Sequence, residues 1–317
     1  MLLILTNSQD ATSDYLIPIL CDSGIPFLRL DTDTLVDGLS VSYTPYKPVF
    51  RLKDSVVTPD LVSHIWYRRP ERLKDDRFDE TSEGTFALNE WSEAVEGFLA
   101  HVPDNRWMNH PSANASASNK LEQLSTASSL GFAIPDTLLT QDPEEAREFY
   151  ELHGQNVVVK PMSNGYIERE KGTDSLIYTN RVTGSDLESI DDVLHCPTLF
   201  QRFIMKSTDV RITVIDQAVH AVELYAQDSE GKQRCDIRRN NMTDVEYKLT
   251  ELPEEITTMI RNLMAHYRLR FAAIDMVVDF DGKWHFLEVN PNGQWAWMDL
   301  AGASNIAHSF VEAFTDG

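Results

Sequence analysis

The sequence predicts an α/β protein: an open α/β domain at the N-terminus, then a mixed region of helices and antiparallel strands that ends in a long hairpin. Three observations carry this. The chain opens with an apolar run, a helical stretch and a second apolar run, the order of a βαβ unit. Residues 199–228 alternate in β fashion. Finally, Asp281-Gly282 lies between two apolar runs, a strong short-range signal for a two-residue hairpin turn. At 317 residues and 42% apolar, the chain can hold two or three domains with a substantial core.

Taken in order, LLILT reads as a buried strand and TSDYLIPILCDSG as a helix, with Ser13 placed to cap it, Gly24 to end it and Pro26 to prevent its continuation. PFLRLDTD is the second strand, and LSVSYTP and VFRLKD extend the domain as a hairpin. No GxGxxG follows the first strand, so a dinucleotide site of the usual kind is unsupported. HIWYRRP puts Ile65, Trp66 and Tyr67 into a strand and then presents Arg68 and Arg69 before a proline. Their guanidinium forks suit a carboxylate or phosphate, an ion pair with a local acid being the plainer alternative. Residues 81–102 carry apolar side chains at helical spacing and read as scaffold.

A Ser/Ala/Asn stretch after WMNHP leads into a helix ending near Gly131, and a domain boundary falls near residue 112. Asp142-Pro143-Glu144 starts the next helix, and NVVVKPM is a short buried strand ending in Lys160. A lysine after three valines is poorly explained by core packing; an ammonium at a strand end can meet a phosphate or, more blandly, snorkel to the surface. Residues 162–175, polar with Gly165 and Gly172, suit a lid loop. A short acidic helix then carries Asp186, Glu188, Asp191 and Asp192. Within 199–228 the polar insertions needing explanation are Gln201, Asp209 and Arg211, the last two on one strand face. CDIRRNN adds Arg238 and Arg239, residues 253–269 form a helix, and DLAGASNIAHSFVEAF is a terminal helix.

The chemistry gathers on the hairpin of residues 271–295. With a two-residue turn, Phe280 faces Lys283 and Asp275 faces Glu288. Carboxylates opposed across neighbouring strands destabilise the pair unless compensated, and a bound cation compensates them. Alternation puts Asn290 on the same face as a third oxygen donor. A slipped register, with acids scattered over a solvated hairpin, is the alternative.

Composition narrows the function classes. The 28 basic against 50 acidic residues leave a net charge of −22, which argues against phosphate-backbone affinity and so against nucleic acid as a partner. The opening MLLILT is too short to span a bilayer, and no membrane partner is expected. Three dispersed cysteines, Cys21, Cys196 and Cys235, form no CxxC and fit a reducing cytoplasm.

HIWYRRP, NHP with its following NK, VVVKPM, FQRFIMKSTDVRITV and WHFLEVNPNGQW together resemble the ATP-grasp enzymes. Among these they look like the maturases of graspetides, the microviridin-type peptides bearing side-chain macrocycles, over nearly the whole chain. The resemblance implies a pre-ATP-grasp α/β domain at 1–112, then a two-part ATP-grasp fold, 113–204 and 205–317, holding ATP between antiparallel sheets. By the same resemblance Lys120 and Lys160 hold ATP phosphates, Gln201 and the backbone around Phe203 and Ile204 meet the adenine, and Asp209 meets the ribose. Asp275, Glu288 and Asn290 hold Mg²⁺, Arg211 contacts the γ-phosphate, and Arg238 positions a substrate carboxylate; Lys160, Arg211 and Arg238 form the catalytic set. The loop at 162–175 departs from the glycine-rich lid such enzymes carry.

The implied reaction forms an ester or amide between side chains of a ribosomally made precursor peptide, through an acyl phosphate. The peptide's leader would dock near the central domain, where Asp186, Asp191 and Asp192 are well placed, with Arg68 and Arg69 as further substrate contacts. A homodimer is implied as well. Two rivals stand beside this reading: an ATP-grasp carboxylate–amine ligase of the glutamate-ligase or glutathione-synthetase type acting on a small molecule, and a non-catalytic nucleotide-binding protein.

Overall fold

The apolar run of β1 (Leu2–Thr6) is buried throughout because it lies inside a parallel sheet of order β2-β1-β6-β7, with β2 Phe27–Asp31, β6 His64–Tyr67 and β7 Trp107–Met108. The computed structural model describes all 317 residues except 37, 46, 47, 53, 54, 76, 79, 80, 164, 168, 170–172, 174, 228–230, 232, 238–243, 316 and 317. Helix α1 (Ala11–Asp22) links β1 to β2 and ends at Gly24, whose φ of +69° suits a residue without a Cβ. Ser13 does not cap it. The cap position is Asp10, and Ser13 lies one turn inside, buried, with its hydroxyl donating to Asp10. Strands β3 (Leu39–Ser42), β4 (Val49–Leu52) and β5 (Ser55–Val57) form a small antiparallel sheet, and α2 (Ser82–Leu99), capped by Thr81, covers the core beneath it.

The expected single helix before Gly131 is two, α3 (Pro111–Ala117) and α4 (Lys120–Ser129). Asn119 separates them because its side chain accepts from the N–H groups of Leu121 and Glu122, which starts a new helix at Lys120. A four-stranded antiparallel sheet follows in the order β12-β9-β13-β8, from β8 (Thr137–Thr140), β9 (Val157–Lys160), β12 (Asn180–Arg181) and β13 (Thr198–Arg202). Helix α5 (Pro143–Leu152), capped by Asp142, and the acidic segment Asp186–His195 pack on its Val157–Phe200 face. That segment is 3₁₀ rather than α-helical and is kinked at Ser189. In the candidate lid, β10 (Tyr166–Ile167) pairs with β11 (Ser175–Leu176); Gly172 lies outside the described residues.

The second large sheet has the order β16-β15-β14-β17-β18, all antiparallel, from β14 (Lys206–Ile215), β15 (Ala218–Tyr225), β16 (Glu246–Thr250), β17 (Phe271–Asp279) and β18 (Trp284–Asn290). One face, through Val210, Ile212, Ile274 and Met276, packs on α6 (Glu254–Tyr267). At one end of the other face, Ile215, Val222 and Phe271 join Trp295, Phe310 and the N-terminal sheet's Trp66 in a core shared with α7 (Ala296–Leu300) and α8 (Ile306–Thr315). The rest of that face carries the polar residues.

Candidate active site

Opposed strands bring three charges into one row. Arg211 on β14 faces Asp275 on β17, which faces Glu288 on β18. The predicted Asp275–Glu288 opposition is therefore present, but the route to it differs. Phe280 does not face Lys283: the turn spans three residues, with the Asp279 N–H donating to the Lys283 carbonyl at 3.0 Å and Gly282 at φ +79°. A β-bulge between the Asp275 and Met276 positions leaves Leu287 without an opposite partner and restores the offset.

Like charges across Asp275 and Glu288 find internal compensation. Both Asp275 oxygens accept from Arg211 Nη1, at 2.8 and 2.9 Å, and Arg211 Nη2 donates to the Gln294 carbonyl at 2.9 Å. Lys120 Nζ lies 3.5 Å from Glu288 and donates to the Pro161 carbonyl at 2.7 Å. The cross-strand conflict alone thus does not require a metal. The donor set still fits one: two carboxylates and the Asn290 amide oxygen, held by the Asn292 N–H at 2.9 Å, are hard oxygens of the kind Mg²⁺ takes. Among the described residues no three His, Cys, Asp or Glu side chains converge, so this acid–acid–amide set is the candidate metal site.

Lys160 sits opposite Leu199, and Gln201 opposite Val158, so all four share the sheet face away from α5. Burial pushes the Lys160 ammonium below its ordinary value, with Glu288 opposing and Lys120 and Lys206 adding to the push. Arg211 and Lys120 therefore flank the acid pair, and Lys160 lies within the electrostatic reach of Glu288. A half-buried ammonium crowded by like charge gains from an arriving anion.

The remaining expected residues divide. Gln201 is buried and donates to Thr137 Oγ1 at 3.0 Å. Phe203 anchors the strand end through its N–H to the Asn156 carbonyl at 2.8 Å and lies under the Arg181 guanidinium, 4.2 Å from its centroid; Ile204 is buried. Asp209 does not offer a free carboxylate to a ribose. Lys206 Nζ donates to Oδ1 at 2.6 Å and Gln233 Nε2 to Oδ2 at 2.8 Å, while burial still pushes its carboxyl upward. Arg238 lies outside the described residues, as does Arg239. Asp186, Asp191 and Asp192 are exposed, with Asp186 accepting from Thr183 and held low by those bonds.

The two arginines of HIWYRRP part company. Arg68 is 0% exposed and faces no solvent-borne ligand: its Nη1 donates to the Asn292 carbonyl and its Nη2 to Gln294 Oε1 at 2.8 Å, while Nε, without a hydrogen-bond partner among the described residues, lies 3.7 Å from the Asp10 carboxylate. Arg69 reaches solvent, but the protein around it withdraws enough water to lower its guanidinium, with Asp10 opposing and Arg211 adding to the shift.

Sequence reasoning assigned no role to Lys206, Gln233, Asn109 or Gln294. Asn109 sits at φ +56°, accepts from the N–H groups of Arg270 and Phe271 and donates to the Phe271 and Pro291 carbonyls, clamping the root of the hairpin. Its signal was present, since NHP is followed by a helix and asparagine tolerates the left-handed region. Lys206 and Gln233 gave none.

A RimK-like ATP-grasp domain model matches residues 117–314. Macrocyclase MdnC bound with precursor peptide MdnA, from Microcystis aeruginosa MRC, is similar at 26% identity over 100% of this chain and 99% of that one, with a TM-score of 0.85. A Chryseobacterium gregarium RiPP-associated ATP-grasp ligase, in complex with ADP and a leader and core peptide, is similar at 28% identity over 99% and 96% of the two chains, also at 0.85. Macrocyclase MdnB from M. aeruginosa MRC follows at 25% identity, 100% and 99% coverage and 0.77. No curated protein matches the sequence.

Proposed function

The chain belongs to the RimK-like ATP-grasp family, and from that premise we propose that it is an ATP- and Mg²⁺-dependent ligase that closes side-chain macrocycles in a ribosomally made precursor peptide. One observation carries the reading: Arg211 binds Asp275 and Lys120 lies 3.5 Å from Glu288, with Lys160 in the field of the same acid, a cation-lined oxygen site suited to a metal-bound polyphosphate. Full-length similarity to the MdnC and C. gregarium enzymes supports a peptide as the second substrate.

A carboxylate is a poor electrophile, so the reaction transfers the γ-phosphoryl group of ATP to a peptide Asp or Glu side chain. A Ser or Thr hydroxyl, or a Lys amine, then displaces phosphate from the acyl phosphate. Lys120 and Lys160 hold the nucleotide's phosphates, and Arg211 leans on the group in transfer, offsetting charge where it develops. Mg²⁺, when bound by Asp275, Glu288 and Asn290, neutralises phosphate oxygens. Gln201, Phe203 and Ile204 line the nucleotide's far end. Arg69 and Arg238 steer the substrate carboxylate, and Asp186, Asp191 and Asp192 receive a basic leader. The working parts are residues 1–112, 113–204 and 205–317, in a cytoplasmic homodimer. Among the described residues no helix is long and apolar enough to cross a membrane.

The test is mass spectrometry of an acidic precursor peptide, encoded beside the gene, after incubation with enzyme, ATP and Mg²⁺. Loss of one water per bond formed is expected. Mass gain by amino-acid addition, or no change in the peptide, overturns the proposal.

A further inference from the structure

Arg68 is the largest charged side chain with no exposure, and binding a ligand does not account for it. Burying a guanidinium is costly unless its donors are satisfied. We propose that Arg68 is a positioning residue: from the N-terminal sheet it fixes the 292–294 loop, and that loop in turn fixes Arg211. The inference rests on the nucleotide-binding role given to Arg211 above.

The chain of contacts is continuous. The Arg68 N–H donates to the Leu5 carbonyl at 2.9 Å, which ties its backbone to the centre of the parallel sheet. Its Nη1 donates to the Asn292 carbonyl and its Nη2 to Gln294 Oε1 at 2.8 Å. Behind it Asp10, whose Oδ2 lies 3.7 Å from Arg68 Nε, is itself held by the hydroxyls of Thr6 and Ser13. On the far side of the loop the Gln294 carbonyl accepts from Arg211 Nη2 at 2.9 Å, leaving Nη1 for Asp275. Gly293, between the two anchor points, has no room for a side chain: a Cβ there would lie 2.2 Å from the Ala273 Cβ and 3.0 Å from Arg211 Nη2. The loop is pressed onto the strand that carries Asp275, so a shift of Asn292–Gln294 moves the carbonyl that orients Arg211. Asn290, two residues before the Arg68 anchor, is tied to the same loop by the Asn292 N–H.

An interface role alone makes a different prediction, because it costs stability without touching the γ-phosphate. The experiment is a double-mutant cycle over Arg68→Met and Arg211→Met, reading the affinities of Mg·AMPPNP and Mg·ADP by calorimetry, with melting temperature as the fold check. Arg211→Met should weaken Mg·AMPPNP about tenfold, the value of one charge-assisted contact. Arg68→Met should weaken it roughly three- to tenfold, the double variant should be no weaker than Arg211→Met, and Mg·ADP affinity should stay within about twofold. Should Arg68→Met not fold, Gln294→Met, which removes the side-chain amide that Arg68 and Thr12 bond and keeps the backbone carbonyl that Arg211 uses, takes its place in the cycle. Additive losses, or full Mg·AMPPNP affinity in the variant at Arg68 or Gln294, overturn the inference. A wild-type protein that binds neither nucleotide overturns the ATP reading instead.

Discussion

Two ion pairs on the same face of β14 have opposite fates. Arg211–Asp275 is partly open, its side chains 12% and 32% exposed, whereas Lys206–Asp209, one turn of pleat away, is closed at 5% and 14%. The open pair lies beside Glu288, its opposite residue on β18, and near Lys120, which is 3.5 Å from Glu288. The closed pair is completed by Gln233 and the Cys235 carbonyl, which receives Lys206 Nζ at 3.2 Å. Charge type does not separate them; exposure does, because Gln233 and the Cys235 carbonyl seal one pair and the other reaches the surface. A pair sealed from solvent serves as a strut, and one that reaches the surface among further charges can meet a ligand.

The sharpest way to break the contrast is at the open site. Replacing Glu288 or Asn290 with alanine should cut peptide-dependent phosphate release by about a thousandfold or more, with the melting profile retained. Normal peptide modification by either variant breaks it.

At the closed pair the effect should be on stability. Lys206→Met leaves Asp209 buried without its cation, only Gln233 still donating to it, and should cost about 3–5 kcal/mol in denaturant unfolding, with Lys206→Met/Asp209→Leu regaining most of it. A single variant as stable as wild type would mean that the pair is open after all.

A smaller effect distinguishes Lys160. Its depressed value means that the unfolded chain holds this proton more tightly than the folded one. Its contribution to stability therefore falls as pH drops from the ordinary lysine range towards the folded value. A phosphate beside it favours the charged form, so nucleotide binding on the alkaline side should take up a proton. Calorimetry in buffers of different ionisation heat reads this uptake, and Lys160→Met should abolish it. Smallest is the exposed acidic segment, where Asp191→Lys with Asp192→Lys should weaken precursor binding about tenfold and leave Mg·ATP binding unchanged.

The contrast also marks what the sequence could disclose. Alternation and the Asp-Gly turn located the hairpin and its opposed acids, although two local departures, a longer turn and a bulge at Leu287, cancelled to give that register. Nothing local tells Arg68 from Arg69, because burial of the first depends on a loop more than 200 residues away, Asn292 being 224 positions on. Lys206 pairs with Asp209 only because β14 has an irregular register between Lys206 and Thr208, which periodicity does not foresee. Motifs whose roles follow from strand pairing were legible; those whose roles depend on which neighbour seals them were not.

On the proposed function, the open pair holds the metal–nucleotide and the closed pair holds only itself. Crystals grown with Mn²⁺ and AMPPNP test it directly through the anomalous signal of the metal. Mn²⁺ is expected about 2.0–2.3 Å from oxygens of Glu288 and Asn290, near Asp275 and with Lys160 on the phosphates. A metal seated at Asp209, or a nucleotide bound with no metal contact to the hairpin, contradicts it.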